Sequence, residues 1–123
     1  MDLKSFQELK SEWDALLIAL KADFGIEPDL QAVLFLIGVQ ELGQGAKDFS
    51  KQEKQDLMHI AICRILSEFG YYKLLGIDED GWPHWQHIKA LPTLTLKEQD
   101  ILLKRGALSY FKNEVGFPSA DNN

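Results

Sequence analysis

Apolar residues recur every three or four positions over most of the 123-residue chain, a spacing that places them on one face of an α-helix. This pattern predicts helices over Asp2 or Ser5 to Phe24, Pro28 to Leu42, Ser50 to Phe69 and Thr95 to about Val115. A glycine follows each segment, as is common where helices end. We therefore expect an all-α fold: a single four-helix, bundle-like domain over residues 1–115, with a flexible C-terminal tail over 116–123.

Two of the predicted helices begin with a capping box. The sequences are Ser50-Lys51-Gln52-Glu53 and Thr95-Leu96-Lys97-Glu98. In this motif the hydroxyl accepts a hydrogen bond from the backbone N–H three residues on, and the glutamate accepts one from the first residue. Both helix starts are therefore well defined by the sequence.

The second predicted helix is apolar all round in its middle, from Ala32 to Ile37. A helix without a polar face is typical of the centre of a domain. We expect this helix to be central, with Leu34, Phe35 and Ile37 nearly fully buried.

Residues 71–94 form a long aromatic connection between the third and fourth helices. Asp80-Gly81 is a turn signal that could close a small hairpin, but Pro83 weakens that interpretation. The stretch from Pro83 to Lys89 could instead form a short helix. Trp82 and Trp85 are either an aromatic contact for a partner or a plug over one end of the bundle, and we favour the plug.

The third predicted helix carries Ile60 and Cys63 on an otherwise polar side with His59 and Arg64. Apolar residues do not suit a purely solvated face. We expect this side to contact another element or a partner chain.

Glu41 is the first candidate for a polar site, since its charge lies in the last turn of the most apolar helix. The helix dipole disfavours a negative charge there, so a buried Glu41 needs a cation, and Arg64, His84 or His87 could supply it. Such a site would lie where the second helix ends against residues 82–87. The alternative is that Glu41 simply reaches solvent.

A second candidate is a metal site. His59 and Cys63 are four residues apart on a helix, so they could share one zinc ion, with His84 and His87 as further ligands. Chance pairs of this kind are much more common than sites. No complete catalytic or cofactor motif is present, so we assign no catalytic residue, metal or cofactor.

Charge and composition narrow the class of protein. The chain has 19 acidic and 13 basic residues and a net charge of -6, which argues against nucleic-acid binding. Its 46% apolar content is typical of a globular domain. A single cysteine, no secretory signal and no apolar run of membrane-spanning length favour a cytoplasmic protein that does not enter a membrane.

The segments 35–43 (FLIGVQELG) and 81–85 (GWPHW) resemble those of a family of small, functionally uncharacterised bacterial proteins that are all helical. With the third helix between them, the resemblance covers roughly the middle half of the chain. It implies a bacterial, cytoplasmic setting and no particular chemistry.

These observations favour a small cytoplasmic, non-enzymatic protein-interaction domain, with an unknown protein partner or a second copy of itself. The alternative is a small metal-binding protein or enzyme. It would use a Glu/His/Cys cluster between the second and third helices and residues 78–87.

Overall fold

The computed structural model describes residues 3–25, 28–45 and 47–116 of the chain. The four predicted helices are present as α1 (Leu3–Phe24), α2 (Leu30–Leu42), α3 (Lys51–Ser67) and α4 (Leu96–Tyr110), and α4 continues into a π-helical turn, Phe111–Val115. The expected tail over 116–123 lies outside the described residues, apart from Gly116.

Side-chain caps set the starts of three helices. Both capping boxes form, with Ser50 and Glu53 at α3 and Thr95 and Glu98 at α4. Helix α2 begins two residues later than predicted because Asp29, rather than a residue before Pro28, is its N-cap. The Asp29 Oδ1 accepts the Ala32 N–H at 2.8 Å.

The prediction of an all-α, four-helix bundle is wrong, because a β-hairpin lies between α3 and α4. Strands β1 (Tyr72–Ile77) and β2 (Pro83–His87) pair antiparallel. The order is therefore three helices, a hairpin and a fourth helix, and the supposed aromatic loop and short helix over 83–89 are replaced by β structure.

Asp78 explains why the chain turns here. Its Oδ1 accepts the backbone N–H groups of Asp80 and Trp82 at 2.9 and 3.0 Å, while the Gly81 N–H donates to the Asp78 carbonyl at 3.0 Å. Pro83 does not prevent the hairpin because it is the first residue of β2, where a missing N–H is tolerated.

Helix α3, and not α2, lies at the centre of the fold. It contacts α2, α4 and both strands, whereas α2 packs mainly on α3. The main core joins Leu16, Val33, Ile37, Ile65 and Ala107 from all four helices. Leu34 and Ile37 are buried as expected, but Phe35 is only partly buried. The prediction that α2 is covered on all sides is therefore wrong for one face, because Phe35, Leu36 and Val39 are only partly buried.

The hairpin packs on α3 and accounts for the two apolar residues on its polar side. Ile60 and Cys63 are 6% and 1% exposed. Ile60 belongs to a second, smaller cluster with Leu42, Phe49 and Leu57, against which Trp82 packs. An element of the same chain therefore covers this side of α3. Within the ranges described, no helix has the length and apolarity required to span a membrane.

Candidate functional site

Glu41 lies in a polar cluster with residues of α3 and α4. Its Oε1 is 3.4 Å from the Arg64 Nε, and its Oε2 accepts a hydrogen bond of 2.7 Å from the Tyr110 hydroxyl. Its side chain is 22% exposed and that of Arg64 is 17% exposed. The charge that opposes the α2 dipole is thus neutralised by a cation from the neighbouring helix.

Arg64 also contacts two further carboxylates. Its Nη1 is 2.7 Å from Glu68 just beyond the end of the same helix, and its Nη2 is 3.5 Å from Glu114 in the π-helical turn. The guanidinium carbon lies 5.6 Å from the centre of the Tyr110 ring. A single arginine therefore connects α2, α3 and the end of α4.

Two members of this cluster, Arg64 and Tyr110, hold their protons more tightly than usual. Burial opposes the charge of Arg64, but the hydrogen bond to Glu68 and the charges of Glu41 and Glu114 outweigh it and raise the pKa of Arg64. Burial, followed by the hydrogen bond to Glu41, raises the pKa of Tyr110 well above its ordinary value. Tyr110 is therefore a hydrogen-bond donor and not a base, and the cluster acts as a tie between helices.

The end of α2 meets the hairpin as expected, since Trp82 packs against the cluster that contains Leu42, but the partners of Glu41 are on α3 and α4. Glu41 lies on the same face of α2 as the buried Ile37 and Gly38, four and three residues earlier, and this face points to α3 and α4. His84 instead lies in the hairpin, with its Nε2 2.8 Å from the Asp78 Oδ2. That hydrogen bond, with those from the backbone, lowers the pKa of Asp78.

The four metal-ligand candidates do not gather into one site. The Cys63 Sγ lies 3.5 Å from the His59 Nε2, while His87 stacks on Tyr72 with ring centres 4.9 Å apart. Across the described ranges, no three His, Cys, Asp or Glu side chains are arranged to hold a metal ion. Burial also raises the pKa of the Cys63 thiol to about 11, so at neutral pH it is neither a nucleophile nor a ready metal ligand.

The two tryptophans have different surroundings. Trp82 packs against the buried cluster of Leu42, Phe49, Leu57 and Ile60, as a plug would. Trp85 lies opposite Leu74 in the hairpin, and its indole N–H is buried without an acceptor among the described residues. Both rings are partly buried, so neither offers a broad contact surface to a partner.

Two apolar surfaces were missed by the sequence reasoning. The first, here called the α2 cleft, is a concavity of about 510 Å³ lined by Phe35, Leu36, Val39, Gln40, Gly43, Gly45, Lys47 and Phe49. The second, here called the α4 groove, is about 370 Å³ and is lined by Phe69, Tyr71, Pro92, Leu94, Glu98, Ile101, Leu102 and Arg105. Apolar residues around the whole circumference of α2 were a signal for the α2 cleft. This signal was missed because the outer face of the helix was assigned to the core.

Comparison with known proteins adds no assignment: no protein-family model, no curated protein and no solved structure matches this chain.

Proposed function

We propose that this chain is a non-enzymatic protein-interaction domain that binds its partner in the α2 cleft. The observation that carries the proposal is the mismatch between the sequence of α2 and its packing. Only Gln31, Gln40 and Glu41 are polar among its 13 residues, yet its face with Phe35, Leu36 and Val39 is only partly buried. A helix that is apolar all round is normally covered all round.

The chemistry of the α2 cleft indicates the kind of partner. Phe35, Leu36 and Val39 present apolar surface, and Phe35 meets the buried Phe49 edge to face with ring centres 6.0 Å apart. An amphipathic helix that inserts its apolar side chains suits such a groove. Gly43 and Gly45 have no side chains at the rim of the cleft, so the partner can lie close to the backbone there.

Lys47 is the only charged residue that lines the α2 cleft within the described chain. Its Nζ donates a hydrogen bond of 2.8 Å to the exposed Gln44 side chain, a contact that a carboxylate could replace. The partner helix should therefore carry an acidic residue beside its apolar face. A second copy fits less well, because the cleft would offer no opposite charge to Lys47.

The proposed setting is the bacterial cytoplasm. Cys63 is a free, buried thiol, which suits a reducing compartment.

Site-specific photo-cross-linking tests this function. A photoreactive residue in place of Gln40, at the exposed rim, should cross-link one protein in cells, whereas the same residue in place of the exposed Gln55 on α3 should not. The captured protein is then purified and titrated against the domain. Its affinity should fall about tenfold or more on Lys47→Glu and remain unchanged on Lys54→Glu, which changes the net charge equally on α3.

Two results would overturn the proposal. One is a cross-linking pattern that is the same from positions 40 and 55. The other is a reconstituted complex whose affinity does not respond to Lys47→Glu.

A further inference from the structure

The α4 groove has opposite charges at its two ends. Glu98 and Arg105 are seven residues apart, which is about two helical turns, and both line the groove with Ile101 and Leu102 between them. The side chains of Glu98 and Arg105 are exposed. Neither forms an ion pair within the described chain. The groove therefore combines an apolar centre with one unpaired charge of each sign.

Apolar surface continues beyond this groove. A neighbouring concavity of about 280 Å³ shares Pro92, Leu94 and Leu102 with it and adds Ile62 and Leu66 of α3. Phe69 is 44% exposed and Leu91 is 40% exposed. A contiguous apolar area of this kind is typical of a contact surface.

We infer that the α4 groove is a two-fold interface between two copies of this chain. If two α4 helices lie antiparallel with the axis between Ile101 and Leu102, each Glu98 faces the other copy's Arg105. Ile101 of each copy then meets Leu102 of the other. A two-fold contact requires one patch to be complementary to itself, and the Glu98–Ile101–Leu102–Arg105 pattern meets this condition.

The geometry of Glu98 leaves it able to make this contact. Its Oε1 accepts the Thr95 N–H at 2.9 Å in the capping box, and a carboxylate has a second oxygen to offer to an arginine. If the two α4 helices were parallel, each Glu98 would face the other copy's Glu98, and each Arg105 would face the other copy's Arg105. The inference is independent of the α2 cleft, which lies on another helix and has a single charge.

Charge exchange tests the interface by sedimentation velocity. The wild-type chain should dimerise as its concentration rises. Arg105→Glu places two carboxylates at each charged contact of the homodimer, and Glu98→Lys places two cations there. Each variant alone should therefore have a dimer dissociation constant raised about tenfold or more. An equimolar mixture of the two variants should restore dimers, because each charged contact of the heterodimer pairs a carboxylate with a cation.

In the mixed dimer the two charged contacts differ from those of either homodimer. At one contact the lysine introduced at position 98 faces the glutamate introduced at position 105, which is an ion pair of reversed polarity. At the other contact the native Glu98 of one variant faces the native Arg105 of the other, which is the wild-type ion pair. Both contacts are therefore attractive only when the variants are mixed.

Matched controls separate this result from a loss of folding. Lys54→Glu changes the net charge as much as Arg105→Glu and should leave the dimer intact. Glu98→Gln keeps the capping contact, lacks the charge and should weaken the dimer. Circular dichroism checks that each variant retains its helix content. A wild-type chain that stays monomeric, or folded variants that do not pair when mixed, would refute the interface.

Discussion

At the scale of single residues, the position of Glu41 is the clearest link between sequence and structure. Its charge at the wrong end of an apolar helix indicated the need for a partner, and Arg64 was among the three candidates. Tyr110, the other partner, was missed because it is 69 residues away and no local pattern marks it. Sequence reasoning could find the electrostatic problem but could not choose among the cations.

This arrangement makes Glu41 a net contributor to stability. Glu41→Gln should lower the free energy of unfolding by about 1 kcal/mol. The contacts with Arg64 and Tyr110 then lose the negative charge of the carboxylate, which solvent screens only in part at this site. Glu41→Ala should cost about 2 kcal/mol, since the Tyr110 hydroxyl, on a residue that is 5% exposed, loses its acceptor. Urea denaturation at neutral pH measures both.

The matched control is Glu8→Gln on the exposed side of α1, which should change the free energy of unfolding by less than about 0.5 kcal/mol. If Glu41→Gln were as stable as the wild-type chain or more so, Glu41 would be a solvated helix end whose removal relieves the dipole.

At the scale of elements, the contact between α2 and α3 depends on a residue without a side chain. A Cβ added to Gly38 would collide with the Leu57 carbonyl oxygen and lie 2.6 Å from its carbonyl carbon. The equivalent contact between α4 and α3 is at Gly106, where the added Cβ would collide with the Ile65 side chain. Both glycines therefore permit close approach of helices and are not explained by turns.

Gly38→Ala should destabilise the protein by about 3 kcal/mol, because backbone of α3 must move to admit the methyl group. Gly106→Ala should cost less, about 1 kcal/mol, because the Ile65 side chain can change its rotamer. Thermal unfolding followed by circular dichroism ranks the two. The opposite result, a Gly38→Ala chain of unchanged or higher stability, would mean that the gain in helix propensity exceeds the cost of the contact.

The Asp80-Gly81 turn signal offered the hairpin only as an alternative, and the strands themselves gave little support for it, for a physical reason. The usual signal of a half-buried strand is alternation of apolar and polar residues, but β1 exposes Leu74, Leu75 and Ile77 to 45%, 63% and 66%. The register also shifts between Leu74 and Gly76, which breaks the alternation further. Caps and periodicity were sufficient for the helices because those signals are local, whereas the hairpin depends on its contact with α3.

At the scale of the whole molecule, the fold has two buried clusters of unequal size. The larger cluster joins all four helices, while the smaller one joins α2, the segment with Phe49, α3 and Trp82 of the hairpin. The apolar composition of α2 correctly predicted the burial of Leu34 and Ile37, but not the partial exposure of Phe35. It could not indicate which part of the chain covers each face, because that depends on tertiary packing.

The hairpin is joined to the helices at the smaller buried cluster. Trp82 makes this connection, so Trp82→Ala should weaken the local stability of the hairpin. Amide hydrogen exchange over residues 72–87 should then accelerate roughly tenfold or more, which corresponds to a loss of at least about 1.4 kcal/mol of local stability. Amides of α1 and α4 should keep their protection, since their side chains pack in the larger cluster. Gln86→Ala, at an exposed position of β2, is the control and should leave both regions unchanged. A uniform acceleration in all elements would instead mean that hairpin and helices unfold as one cooperative unit, with the smaller cluster an integral part of the core.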